Sequence, residues 1–148
     1  MEIFVGADYR GFEKRQKVLS FLAKSEYTVH DLGAYDSSEN DYNDPAVAVA
    51  KMVRKNRDAR GILLCGSAHG VTIQANRFKG VRAANCDSTQ SAKLAREHDD
   101  ANVLCLSAHF MDDNTIQEIV KTFLKTNFEN LERRVRRINR LDEREDYD

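Results

Sequence analysis

The residues best suited to chemistry lie in GILLCGSAHG, Gly61 to Gly70. An apolar run ends on Cys65 and breaks at once into Gly66, Ser67, Ala68, His69 and Gly70. Small residues let the backbone approach a ligand, and amides turning into a helix near Val71 aim several N–H donors at one point. Such a nest favours an anionic oxygen. The same field is expected to favour thiolate at Cys65. A thiol base or nucleophile beside oxyanion donors is the chemistry on offer.

Three versions of that chemistry compete. A cysteine phosphatase needs an arginine six residues after the cysteine, and that position is Val71. A Cys–His nucleophile for acyl transfer stays open, with His98 or His69 as partner. A metal site is disfavoured, because His30, His69, His98 and His109 show no HxxxH or HxxH spacing. His30 reads as a structural or edge histidine. Cys105, in NVLCL, and Cys86 read as packing residues. None of the three cysteines forms a CxxC pair, so reduced thiols are expected.

These residues need elements to hold them. Glu2–Ala7, Thr28–Leu32, Gly61–Cys65, Val81–Asn85 and Asn102–Leu106 read as five strands. Between them, Ala46, Val49, Ala50 and Val53 repeat at helical spacing, as do Ile116, Ile119, Val120 and Phe123. Val18, Phe21 and Leu22 form a shorter version. Alternating strands and helices predict a Rossmann-like α/β three-layer sandwich, α/β/α, with a five-stranded parallel sheet. Pro45 suits the first turn of a helix, with Asp44 as its cap.

Ligands of such sheets bind beyond the carboxyl ends of the strands. Asp8, Tyr9 and Arg10 follow the first strand there, and His109 follows the fifth. His98 ends the helix before that strand.

One domain over residues 1–148 is expected, large enough for a core. Leu131, Val135 and Ile138 stripe an arginine-rich helix at about 130–140, and an acidic tail covers 141–148. Such a helix suits either a solvated face or a partner subunit. The net charge of −1 argues against nucleic acid or an anionic membrane as partner. No apolar run reaches the roughly 20 residues needed for a membrane span, and the N-terminus lacks signal-peptide character, so a cytoplasmic protein is expected.

The stretches GADYRGFEKR, DLGAYDSSENDY, GILLCGSAHGVTIQANRFKGVRAA and SAKLAREHDDANVLCLSA, in that order, resemble the type B ribose-5-phosphate isomerase family. That family also contains the subunits of galactose-6-phosphate isomerase. The resemblance implies a metal-free, cofactor-free aldose–ketose isomerase that acts on a sugar phosphate through a cis-enediolate. It further implies a homodimer or homotetramer with active sites at the subunit interface. By the same resemblance, Cys65 is the base, Ser67 steadies it or a sugar oxygen, and His98 opens the furanose ring. The amides of Gly66, Ala68, His69 and Gly70 would hold the enediolate oxygen. Asp8 would bind sugar hydroxyls; Tyr42 lies in a matching DY pair, and Asp99 stands where many members have asparagine.

Departures from the pattern gather on the phosphate. Tyr9 replaces a common histidine, His109 replaces an arginine, and Glu132 falls where another arginine is usual. Arg136 matches the second phosphate arginine, and Arg133 or Arg134 could substitute for the first. Arg10 and Arg137 complete the candidate cations. In the loop, Ala68 replaces a usual glycine and His69 an aliphatic residue. If that glycine needs a positive φ, alanine strains the loop by roughly 1–2 kcal/mol.

Overall fold

The computed structural model describes residues 1–34 and 36–143. Tyr35 and most of the acidic tail, 144–148, lie outside the described residues. The elements run β1 (Glu2–Ala7), a 3-10 turn (Tyr9–Gly11), α1 (Phe12–Leu22), β2 (Thr28–Asp31), α2 (Asn43–Lys55) and β3 (Arg60–Cys65). They continue with α3 (His69–Ala75), β4 (Ala83–Asn85), α4 (Thr89–Asp99), β5 (Val103–Ser107), α5 (Asp113–Lys125) and α6 (Glu132–Asp142).

The strands form one parallel sheet in the order β2-β1-β3-β5-β4. Its two faces follow the alternation of the strand residues. Ile3, Val5, Ile62, Leu64, Leu104 and Leu106 face a core shared with Val18, Leu22 and the apolar side of α5. Phe4, Leu63, Cys65, Val103 and Cys105 face the opposite core, shared with Ala46, Val49, Ala50 and Val53 of α2 and with Val71 and Ala75 of α3. Runs buried on both faces are what a parallel sheet between helix layers requires. The expected three-layer α/β architecture is present. Cys105 is fully buried and Cys86 nearly so, as packing residues are.

Several boundaries differ from the sequence expectation, each for a local reason. β4 begins at Ala83 because Val81 closes a turn on the Phe78 carbonyl and Arg82 N–H bonds the Asn102 side chain. α3 begins at His69 rather than Val71, since Ala68 takes a left-handed conformation (φ 68°, ψ −4°) and turns the chain at once. Asp44 does not cap α2. Tyr42 is already helical at φ −57° and ψ −20°, so the helix opens at Asn43 and Asp44 sits inside its first turn. An acid there still favours the helix dipole. α6 extends to Asp142, two residues into the expected tail, where Asp142 accepts the Gly80 N–H at 2.8 Å.

Candidate active site

The connections of β1 and β3 diverge, since β1 leads outward to β2 on one side while β3 leads toward β4 and β5 on the other. The crevice beyond the carboxyl ends of these two strands is the expected ligand position in an open α/β sheet. Asp8 and Cys65 occupy it. The Asp8 N–H donates to the Leu64 carbonyl at 3.2 Å, which seats the aspartate beside the cysteine. Its Oδ1 accepts from Arg10 N and Gly11 N, both at 3.0 Å, and so caps the turn that opens α1. That turn lies against β3 so closely that a Cβ on Gly11 would fall 2.5 Å from the Leu64 oxygen. Only glycine permits the approach. Burial pushes the Asp8 carboxyl above its usual range, while the Gly11 and Arg10 N–H groups and the Arg10 and His109 charges pull it back.

Cys65 is 4% exposed. Its Sγ accepts the Ala68 N–H at 3.1 Å, and the N–H groups of Val71 and Ser67 also favour its thiolate. The amide nest is therefore real, but it closes on the sulfur: the Ala68 donor assigned to an enediolate oxygen is engaged by Sγ. The expected lowering of the thiol is not found. Burial dominates and pushes Cys65 above the ordinary thiol range, with the Asp8 charge adding to the rise. Three N–H groups offset only part of what desolvation costs the anion. The thiolate is thus a minority form near neutrality. The sign is testable: alkylation of Cys65 by iodoacetamide, followed by peptide mass spectrometry, should be slow at pH 7 and accelerate with pH to a midpoint above that of a free thiol. A midpoint below the free thiol's would contradict it.

Ala68, fully buried, holds φ 68°, so the strain anticipated for a non-glycine residue is present. Around the loop, Ser107 Oγ donates to the Gly66 carbonyl at 2.6 Å, and the His109 N–H bonds the same oxygen at 3.1 Å. The His109 imidazole lies over Gly66, where a Cβ would come within 2.6 Å of it. The Tyr42 ring lies similarly against Gly70, at 2.7 Å from a would-be Cβ. Ser67 Oγ accepts the His69 N–H at 3.4 Å, and Asn85 Nδ2 approaches His69 Nδ1 at 3.4 Å. Tyr9 N–H donates to Asn40 Oδ1 at 2.7 Å. Ser107 and Asn40 were not singled out from sequence. Ser107 followed an apolar strand and Asn40 sat in a polar loop, and neither position carries a pattern of its own.

The rim thus collects Asp8, Tyr9, Tyr42, Cys65 to Gly70, and His109. It does not collect His98, Asp99, Arg133 or Arg136. α4 runs back along the sheet, so its last residues, His98 and Asp99, lie at the starts of the strands. Arg82, just before β4, confirms the placement by donating to the Asp99 and Asp100 carbonyls at 3.1 and 2.9 Å. The length of β3 separates that edge from Cys65, about 17 Å at about 3.3 Å per residue. Asp99 lines a cavity of about 450 Å³ with Arg77, Arg82 and Asp142. α6 joins the same edge: Arg134 donates to the Glu97 carbonyl at 2.8 Å and pairs with Glu129. Arg133 and Arg136 therefore belong to a helix that packs at this edge, away from Cys65. Arg136 makes a bidentate pair with Glu132 at 2.9 and 3.1 Å on the exposed face. Among the described residues there is no cluster of three metal-ligating side chains, and no helix is long and apolar enough to cross a membrane.

A parallel α/β sandwich with a cysteine and a carboxylate at the switch point defines a class, that of α/β proteins whose ligand site opens at the strand ends. The comparisons specify it. The family model described as Ribose/Galactose Isomerase matches residues 3–141. A probable ribose-5-phosphate isomerase B of Mycoplasma genitalium is 44% identical over 141 residues, covering 94% of this chain and 92% of that one. A D-erythrulose-4-phosphate isomerase of Pectobacterium atrosepticum is 34% identical over 130 residues, covering 87% and 86%. The crystal structure of a ribose 5-phosphate isomerase from Thermotoga maritima superposes with a TM-score of 0.93 at 39% identity, covering 97% and 98%. The Mycoplasma genitalium ribose-5-phosphate isomerase B structure with bound ribulose-5-phosphate superposes at 0.91 and 43%, covering 95% and 93%. The chain belongs to the ribose/galactose isomerase family. It is thereby an aldose–ketose isomerase in kind.

Proposed function

We propose that this protein interconverts ribose 5-phosphate and ribulose 5-phosphate through a cis-enediolate, with Cys65 as the base. The observation that carries the proposal is Cys65 at the switch-point rim, ringed by three N–H groups and seated beside Asp8. The thiolate removes the C2 proton of the open-chain aldose, and the C2–H electron pair forms the C1–C2 double bond of the enediolate. The thiol returns that proton to C1, while a proton passes from O2 to O1. No electrons leave the sugar. Ser67 and the loop amides steady the oxygen that carries the developing charge. Although Ala68 N–H donates to the sulfur, that bond weakens once the sulfur is protonated, which releases the donor as the enediolate forms.

His98 opens the furanose ring in this proposal, with Asp99 alongside. Because His98 lies at the opposite edge of the sheet, it reaches Cys65 from a second copy of the chain. Arg133 and Arg136 travel with it. The partly exposed stripe of Leu131, Val135 and Ile138 supplies an apolar surface for such a contact. The Arg136–Glu132 pair is solvent-exposed and cheap to break, so a phosphate dianion can take the guanidinium from it. Arg136→Ala is expected to raise KM for ribose 5-phosphate about ten- to a hundredfold, with kcat falling only a few-fold. An unchanged KM would remove Arg136 from the site.

A second substrate is favoured by one specific observation: Tyr9 and His109 stand at the rim in place of the usual histidine and arginine. The reaction class stays the same and the sugar changes, to another sugar phosphate or a free sugar. Ketose formation from ribose 5-phosphate, ribose and allose 6-phosphate separates these possibilities. Turnover of ribose 5-phosphate above the others supports the proposal. Turnover of a free sugar alone supports the second substrate. Thermal stabilisation by ribose 5-phosphate without turnover of any sugar identifies a binding protein and rejects both.

A further inference from the structure

We propose that this chain grips the anionic end of its substrate with Arg10, which Tyr9 holds in position and His109 flanks, directly over Gly66. The inference rests on the sugar-phosphate reading of the rim and names the residue that recognises the anion there.

Arg10 points into the rim from the turn that Asp8 caps. Its Cδ comes within 3.1 Å of the Cβ position of Gly66, and the His109 imidazole comes within 2.6 Å of the same position. Gly66 is the residue immediately after Cys65, so two cationic or proton-donating side chains converge on the backbone next to the thiol. Both also act on the Asp8 carboxyl by charge.

The guanidinium is held but not neutralised. Arg10 Nε donates to the Tyr9 hydroxyl at 3.0 Å, and its Cζ lies 5.3 Å from the Tyr9 ring centroid. Tyr9 is in turn anchored through its own N–H to Asn40. A neutral hydroxyl and an aromatic face orient a guanidinium without satisfying its charge. Arg15, Arg82, Arg96, Arg134 and Arg136 each pair with a carboxylate. Arg10 enters no ion pair among the described residues. Asp8, two residues before it, is nine-tenths buried, and its Oδ1 is occupied by two backbone N–H groups. The terminal nitrogens of Arg10 are thus presented to solvent at the rim, in the fork geometry that suits phosphate.

The placement also accounts for the exchanged residues. A tyrosine at position 9 binds no anion strongly, but it positions the arginine beside it; a histidine at 109 completes the cradle with less reach than an arginine.

The test uses the full chain with two probes, ribose 5-phosphate as substrate and inorganic phosphate as a competing anion. Arg10→Gln should raise KM for ribose 5-phosphate about ten- to a hundredfold, lower kcat less than threefold, and weaken inhibition by inorganic phosphate by a similar factor. Arg10→Lys should recover part of the loss, and Tyr9→Phe, a positioning change, should cost about three- to tenfold in KM alone. A KM and an inhibition constant both within twofold of the parent in Arg10→Gln would overturn the proposal. Calorimetric binding of inorganic phosphate keeps the two claims apart. If the parent turns over no ribose 5-phosphate yet binds phosphate, and Arg10→Gln abolishes that binding, the grip stands and the assigned reaction falls. If the parent binds no phosphate by either measure, the grip falls whatever its turnover.

Discussion

Cys65→Ser is expected to lower kcat on ribose 5-phosphate by about a hundredfold to ten-thousandfold, the range over which a positioned general base contributes. A serine hydroxyl ionises far too weakly to take a proton from carbon at neutral pH. The fold should tolerate the change: serine is close in size, and the Ala68 N–H that now donates to Sγ can donate to its oxygen. A loss of rate with an unaltered melting temperature therefore isolates the chemistry. With Cys65 as the proposed base, the parent rate should also climb on the alkaline side of neutrality, because burial raises the thiol and a base acts in its deprotonated form. A serine variant within tenfold of the parent would end the assignment of Cys65 as base.

The second large effect tests the proposed role of His98 across a subunit boundary. Cys65→Ser and His98→Asn should each be nearly inactive alone, and co-expression of the two should restore activity. In a two-fold dimer with each site built from both chains, random pairing makes half the dimers mixed, each with one intact site. The expected recovery is about a quarter of parent activity, with intact sites measured as turnover per dimer. The physical basis is the position of α4: its C-terminus lies at the starts of the strands, a sheet's length from the thiol. A co-expressed mixture no more active than its components would show that His98 does not serve a neighbouring copy's Cys65. Size measurement in solution, made on the same samples, tells whether the chains associate at all.

Both predictions depend on features of unequal visibility in the sequence. The sheet was legible because strands buried on both faces must be apolar throughout, and Glu2–Ala7 and Arg60–Cys65 show that pattern against helices of clear period. The position of Cys65 beyond a strand end followed from the same alternation. The glycine breaks around it marked a loop of close backbone approach, and the positive φ that the family's usual glycine raised as a possibility is taken up by Ala68. Local backbone chemistry of this kind is written in neighbouring residues.

The thiol's ionisation was not legible. A nearby helix start argues for a lowered pKa, whereas the balance against burial depends on how α2, α3 and β5 cover the sulfur. Nor could spacing reveal that Arg15 and Arg82 find carboxylates while Arg10 does not, since Asp31 and Asp100 arrive from distant segments. The sequence by itself determined the layers, the strand ends and the residue types available to react, because periodicity and turn chemistry act over a few residues. Only the tertiary structure decided which of those residues share an edge of the sheet, because strand order and helix direction set distances across the fold that no local pattern encodes.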